Sequence, residues 1–465
     1  MSNSSGTNGF SLDISGVAGF FGGDASVSAM ATVHIYEGRK WLGWYNQPGS
    51  YEIARRYGQL SRSRLWDALY PGVNVDPAVL FEFDGTEGPK FTAVHSGTVL
   101  AKTGHVAKIF MDGCKDMEIA EKPLCGGRRT KAGFVTIVHL NRVPPANETP
   151  RQDRDFTSVL AGAPILASIG ACVLCGIIHD WYSFACILLG IFSSGISCYV
   201  IGTGTLAFHH PKPADGVPPG DGVLDGGDDL VVLKGAEGAV NAVTRGSFSL
   251  EYESAPKYHN IGVCAVLLTL QFLVQLLLIP QGVLHGQLAF LFSLGCSWAY
   301  NSYLSSFDRL SIQRAILLDQ VLKVKEQTPD LRRYELGTRT ATVVFALLAL
   351  ADSPGAKPQT EALSKVLDDL MPNDTAEWKV WKSEVLRCIQ KDFGDNPRGF
   401  QFVFNTSGAP QTKLLQNLYS DAQAAARMYT QLTQAETGIP SYVEGQQVFW
   451  PYRQVDASGS SDTLL

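Results

Sequence analysis

Apolar positions along this chain are gathered into two blocks instead of being spread through it. Residues 156–211 carry one charged side chain, Asp180, and residues 258–307 carry no Asp, Glu, Lys or Arg. The first block divides into 159–178 and 181–208, the second into 261–279 and 283–304, and each piece meets the roughly 17–25 apolar residues that a spanning helix requires. The pattern predicts an α-helical membrane protein with four transmembrane helices in two hairpins, 156–208 and 258–307.

The remaining positions alternate polar and apolar as soluble elements do. Beyond a flexible N-terminus, 1–30, the runs at 31–36, 90–100, 105–111 and 133–140 read as strands, and 51–70 has apolar residues at helical spacing. They predict an α+β cytosolic domain over 31–155. The loop 209–257 opens as a Pro/Gly linker and continues as β-like runs at 230–233, 239–243 and 247–252, which are expected to add to the N-terminal sheet. After the second hairpin the helical pattern is expected to continue past 308. A mainly helical cytosolic domain, 308–441, then has helices at 340–351, 360–370, 375–392 and 411–434, the third capped by Asp374 or Thr375, and a disordered tail follows at 442–465. The apolar run 340–351 makes only about 18 Å of helix against a hydrocarbon core of about 30 Å, so it reads as a buried soluble helix.

Whole-chain values hide this arrangement: 45% hydrophobic residues and a mean hydropathy of +0.03 would suit an ordinary enzyme. A net charge of −6 argues against nucleic acid as a partner, which calls for a basic face. Lys and Arg are absent from both hairpin turns, whereas Arg142, Arg151, Arg154, Lys212, Lys257, Arg309 and Arg314 flank the hairpins. By the positive-inside rule both termini and the central loop are cytosolic. Four glycosylation tripeptides, at Asn3, Asn147, Asn373 and Asn405, would be usable only in the opposite orientation. No basic, then apolar leader opens the chain, so the first span is expected to direct insertion. Six of the nine cysteines fall in the spans, and Cys114, Cys125 and Cys388 would stay reduced in the cytosol.

Two kinds of intramembrane pattern stand out. Ala163, Ala167, Ala171 and Cys175 recur every fourth residue in the first span, as do Gly190, Ser194, Cys198 and Gly202 in the second. Small residues on one face let helices approach closely, so the stripes are expected to pack the first hairpin or a second copy of the chain. In the second hairpin Gln271 and Gln275 share one face, and Ser293, Ser297 and Asn301 form a stripe placed to meet it, because amides in hydrocarbon need partners.

Chemistry-bearing clusters are few. Cys172, Cys175 and His179 share a helical face, and His179, His285, His209, His210 and His259 lie at span ends, a sparse basis for haem or metal; the expectation is no cofactor. The acidic run Asp221, Asp225, Asp228 and Asp229 lacks the ligand order of a calcium loop. No phosphate-binding loop, zinc-protease, nucleophile-elbow or kinase motif is present. The block DDLVVLKGAEGAVNAVTRGSFSLEY with the four-span layout resembles uncharacterised multi-pass membrane proteins of fungi, a resemblance that implies no activity. The sequence thus reads as a non-enzymatic scaffold partnered by the lipid bilayer and a cytosolic protein. A small-solute transporter or channel is the alternative, and a membrane redox protein the third reading.

Overall fold

The computed structural model describes residues 22–36, 38–61, 64–72, 75–119, 128–145, 147–150, 157–252, 255–324, 331–353, 359–393, 400–405 and 412–436. Cys125 and the predicted tail lie outside them. In chain order the longer helices are α1 (Gly23–Ile35), α2 (Ser50–Leu60), α3 (His105–Lys115), α4 (Gly162–Ile177), α5 (Trp181–Ile201), α6 (Glu237–Thr244), α7 (Ala255–Leu278), α8 (Leu284–Ser305), α9 (Arg339–Ala351), α10 (Thr360–Leu370), α11 (Ala376–Cys388) and α12 (Lys413–Glu436). The strands are β1 (Lys90–Ala93), β2 (Val99–Leu100), β3 (Gly133–Leu140), β4 (Asn147–Glu148), β5 (Thr205–His209), β6 (Gly222–Asp225), β7 (Asp229–Gly235), β8 (Ser247–Glu251) and β9 (Arg333–Leu336).

A mixed six-stranded sheet of order β2-β1-β6-β7-β3-β9 organises one half of the molecule. Its centre is the parallel pair β3–β7, in register from Phe134 against Asp229 to Leu140 against Gly235. Both strands are runs of β-branched and aliphatic residues, as expected where both faces of a sheet are covered. On one face Val138, Leu140, Val231 and Leu233 pack with α3 and α6 residues such as Phe110 and Val243. On the other, Val135, Leu230 and Val232 pack beneath α9, whose residues Thr340–Leu350 are all buried, with α10, α11 and α12 outside it. A helix apolar all round must be enclosed, and Thr338 caps this one by accepting from Ala341 N at 3.2 Å.

The other half is a bundle in which α4 packs on α8, α5 on α7, α2 on α7 and α1 on α8. A small antiparallel sheet, β4-β5-β8, lies where α5 ends.

The structure corrects several expectations. Among the described residues two helices, Trp181–Ile201 with 21 residues and Tyr258–Gln281 with 24, are long and apolar enough to cross a bilayer, not four. Gly162–Ile177 is apolar but has 16 residues. Leu284–Ser305 has the length, yet His285, Gln287, Ser293, Ser297 and Asn301 dilute its apolar character. The predicted span to 208 stops at Ile201, because Gly202-Thr203-Gly204 turns the chain into β5. Residues 31–36 and 105–111 belong to helices, not strands, and so does 239–243: Val and Ile clusters that suit a strand also suit the buried face of a short helix. The start of α1 also falls inside the stretch expected to be flexible. The helix after residue 304 does not run on; Asp308 accepts from Leu310 N and Ser311 N and starts a separate short helix. Thr375 holds the N-cap position of α11, but its hydroxyl bonds Glu377 instead of a backbone amide. Strands 133–140, 230–233 and 247–252 and helices 340–351 and 360–370 lie within a residue or so, or a short extension, of their predicted positions. Of the central loop's predicted runs only 230–233 joins the six-stranded sheet, as β7; 247–252 pairs with β5 in the small sheet instead, and β6 forms within the stretch expected to be a linker.

Candidate functional site

The polar residues singled out in the bundle converge on a segment that the sequence placed in the cytosolic domain. Between Leu42 and Gly49 the chain is irregular, yet Asn46 and Gln47 are completely buried. Buried irregular backbone must find hydrogen bonds from its surroundings. Here the apolar helices supply them. Asn46 N donates to Ser168 Oγ of α4 (2.9 Å), and its side-chain amide donates to Ser293 Oγ of α8 (2.9 Å). Gln275 Nε2 of α7 donates to Asn46 Oδ1 (3.3 Å) and to Cys186 O (3.3 Å). From α5, Ser194 Oγ is placed to donate to Gly43 O (2.8 Å) or Gln47 Oε1 (2.7 Å). Tyr45 OH donates to Asn301 Oδ1 (2.9 Å), and Asn301 Nδ2 donates to Ser26 Oγ (3.0 Å), which in turn donates to Pro48 O (3.1 Å). Asn46 thus touches α4, α7 and α8 at once.

The small-residue stripe of α5 serves this segment. A Cβ on Gly190 would lie 2.1 Å from Asn46 Oδ1, and one on Gly43 would lie 2.3 Å from Cys198 Cβ. Gly202 stands against Lys40 and Val33. Gly190, Ser194 and Cys198 are therefore buried against residues 39–47, and it is this segment, not α4, that they admit. On α4 the buried face is Pro164, Ser168, Ala171, Cys172 and Cys175. Ala171 and Cys175 belong to it, whereas Ala163 is exposed and Ala167 lines an apolar groove of about 570 Å³ with Gly170, Leu174, Leu288 and Phe292. Gln271, Gln275, Ser293, Ser297 and Asn301 are all buried, and Gln275 meets the α8 stripe through Asn46 as an intermediary. Ser297 bonds its own helix at Ser293 O (2.9 Å).

At the opposite end of the bundle the lone charge of the first block clasps the two hairpin turns. Asp180 is 2% exposed and accepts from Ser183 N (3.2 Å), Ser183 Oγ (2.8 Å) and Val283 N (2.9 Å). Gly286 makes room for it, since a Cβ there would lie 1.9 Å from Asp180 Oδ2. An acid accepting from two helix starts is favoured by their dipoles. Its isolation in an apolar block was the signal available in the sequence.

A second polar cluster, invisible in the sequence, forms at the carboxyl ends of β3 and β7. His139 and Lys234 are register partners there. Lys234 Nζ donates to Asp352 O (2.8 Å), Tyr429 OH donates to Asp352 Oδ2 (2.8 Å), Gly235 N donates to Asp221 Oδ1 (2.7 Å), and His95 Nε2 lies 3.4 Å from Asp221 Oδ2. Burial, and then Lys234, hold the His139 imidazole below its ordinary pKa. The network draws on segments from residue 95 to residue 429, spacing that no local motif encodes. It ties the sheet to α9 and α12.

The histidines and cysteines considered for haem or metal are engaged singly. His210 Nε2 is 2.9 Å from Pro144 O, His209 Nε2 is 2.9 Å from Glu251 Oε1, and His259 lies against the Trp66 ring. Cys172 and Cys175 are buried while His179 is exposed. Among the described residues no group of three or more His, Cys, Asp or Glu could hold a metal ion. Asp221, Asp225 and Asp229 are divided among Gly235, Arg339 and Arg333. No protein-family model, curated protein or solved structure matches this chain.

Proposed function

We propose that the bundle lies in a lipid bilayer and that the protein is a multi-pass, membrane-anchored scaffold presenting its mixed-sheet module at the cytosolic surface. The observation that carries this reading is an inverted polarity. On α4, α5, α7 and α8 the outward side chains are Leu166, Ile177, Phe192, Leu277 and Phe292, each at least half exposed, while the inward ones include Ser168, Ser194, Gln271, Gln275, Ser293 and Asn301. Water would drive the opposite arrangement, whereas hydrocarbon favours this one. The aromatic residues agree: Trp181 and Tyr182 open α5, and Tyr199, with Trp41 at 4.7 Å, closes it. Its 21 residues span about 31 Å at about 1.5 Å each, so the rings fall at the depth of the two interfaces. In this reading α5 and α7 cross the bilayer, and α4 and α8 pack against them. The scaffold role rests on the share of the chain outside the bundle, and self-association would use the outward face of Ala163 and Ala167.

Alkaline carbonate extraction tests the anchoring. The full chain is expected to stay in the membrane pellet. Release to the supernatant, or purification as a monodisperse species without detergent, would refute it. Single-cysteine labelling at the hairpin turns and in the 211–220 loop then reads orientation, with the loop expected on the cytosolic side.

A further inference from the structure

Around the buried segment 42–50 the hydrogen-bond account is incomplete. Gln271 is fully buried, and neither its Nε2 nor its Oε1 has a partner among the described residues. Gln275 Oε1, Gln47 Nε2 and Ser50 Oγ are buried and unpartnered as well.

The contacts around them place these atoms in one neighbourhood. Helices α5 and α7 run antiparallel, with Cys186 beside Val274 and Ser197 beside Cys264. Gln271 therefore faces the turn of α5 between Gly190 and Ser194, the turn that holds Asn46 and Gln47. Tyr51 packs on Phe272 at 5.4 Å, which sets the start of α2 at the level of Gln271 on α7. Ser50 is the first residue of α2, which enters from Gly49 in the left-handed region without a side-chain cap.

The chemistry of the orphaned atoms selects the ligand. Gln47 Nε2 and Gln271 Nε2 donate, Gln271 Oε1 and Gln275 Oε1 accept, and Ser50 does either. A cation would satisfy the acceptors and leave the amide donors stranded; an anion would do the reverse. We propose that Gln271, Gln275, Gln47 and Ser50 form a binding site for a small uncharged molecule that both donates and accepts hydrogen bonds, water or a small amide. The close approach at Gly190 limits its size. The inference stands on these buried atoms and does not depend on the scaffold reading.

The test uses the full chain in detergent micelles. If nothing binds, Gln271→Leu removes an unsatisfied buried amide and the thermal midpoint stays or rises. With the site loaded, the same change lowers the midpoint by about 2–4 °C. Acetamide at high millimolar concentration separates the sources. A rise in the wild-type midpoint that Gln271→Leu abolishes identifies a small amide. No response to acetamide, together with a water cross-peak to the Gln271 side-chain amide in NMR spectra, identifies water. An unchanged or raised midpoint for Gln271→Leu, or a lowered one with neither an acetamide response nor a water cross-peak, overturns the proposal. Gln271→Met, closer in length, repeats the reading should the Leu variant fold poorly.

Discussion

The sheet half and the bundle half of this protein solve opposite burial problems. Around β3 and β7 the interior is Val, Leu, Phe and Ala, and the hydrogen bonds are mostly those of the strand ladders. In the bundle the interior combines Asn46, Gln271, Gln275, Ser293 and Asn301 with apolar residues such as Ile187, Phe290 and Leu294, while further apolar side chains face out. One half is held by expulsion of apolar surface from water, the other by pairing polar groups that have nowhere else to go. The same kind of substitution should therefore have different consequences on the two sides.

The largest effect is expected for Phe345→Ala. This ring is fully buried between Tyr334 and Tyr429, each 5.4 Å away, and its removal should cost about 3–5 kcal/mol in chemical denaturation of the sheet module. Next comes acid. His34, at the sheet-side end of α1, packs on Phe81 and hydrogen-bonds Gly204 O at 3.4 Å, and burial lowers its pKa from 6.5 to about 4. A depressed imidazole means the unfolded chain binds the proton more tightly. Stability should be constant above about pH 6.5, fall as pH drops toward 4, and level off there, with a loss on the order of 3 kcal/mol. His34→Phe should flatten that slope, which unfolding curves across the pH range would read. Gly190→Ala places a methyl against the Asn46 amide and should destabilise the bundle by about 1–3 kcal/mol while leaving the sheet module intact, a split visible by hydrogen exchange. The smallest effect is expected for Phe292→Ala. Its ring is 63% exposed, so the change should move stability in detergent by about 0.5 kcal/mol or less. A loss comparable to that of Phe345→Ala would show that the bundle is packed against something other than solvent or lipid.

Legibility in the sequence divided along the same line. The strands 133–140 and 230–233 were readable because a doubly covered strand is a continuous β-branched run, and 340–351 because a helix too short to span but wholly apolar must be enclosed. The polar stripes of α5, α7 and α8 were readable as well, since their fourfold spacing is local. What they meet was not. Residues 42–49 have no periodicity, and their burial is decided by helices more than a hundred residues later. Residues 283–304 have the length of a span and no charge, but His285, Gln287 and Asn301 leave them less apolar than α5 and α7, a dilution that the absence of charge concealed. The cluster of His95, His139, Asp221, Lys234, Asp352 and Tyr429 was illegible for the same reason: it exists only once β1, β3, β7, α9 and α12 are together.

The parallel pairing of β3 with β7 has a consequence for how the chain is made. Adjacent strands in the sheet are separated in synthesis by the whole first apolar hairpin, and β9 follows only after the second. When β3 leaves the ribosome neither of its neighbours exists. It must wait through the delivery of α4 and α5 for β7, and through α7 and α8 for β9, with both edges open to pairing with any other strand. Ribosome stalling or truncation before residue 229 would release a chain whose hairpin is complete but whose strand β3 lacks both of its sheet neighbours, so quality control of this protein would be set by translation beyond the first hairpin.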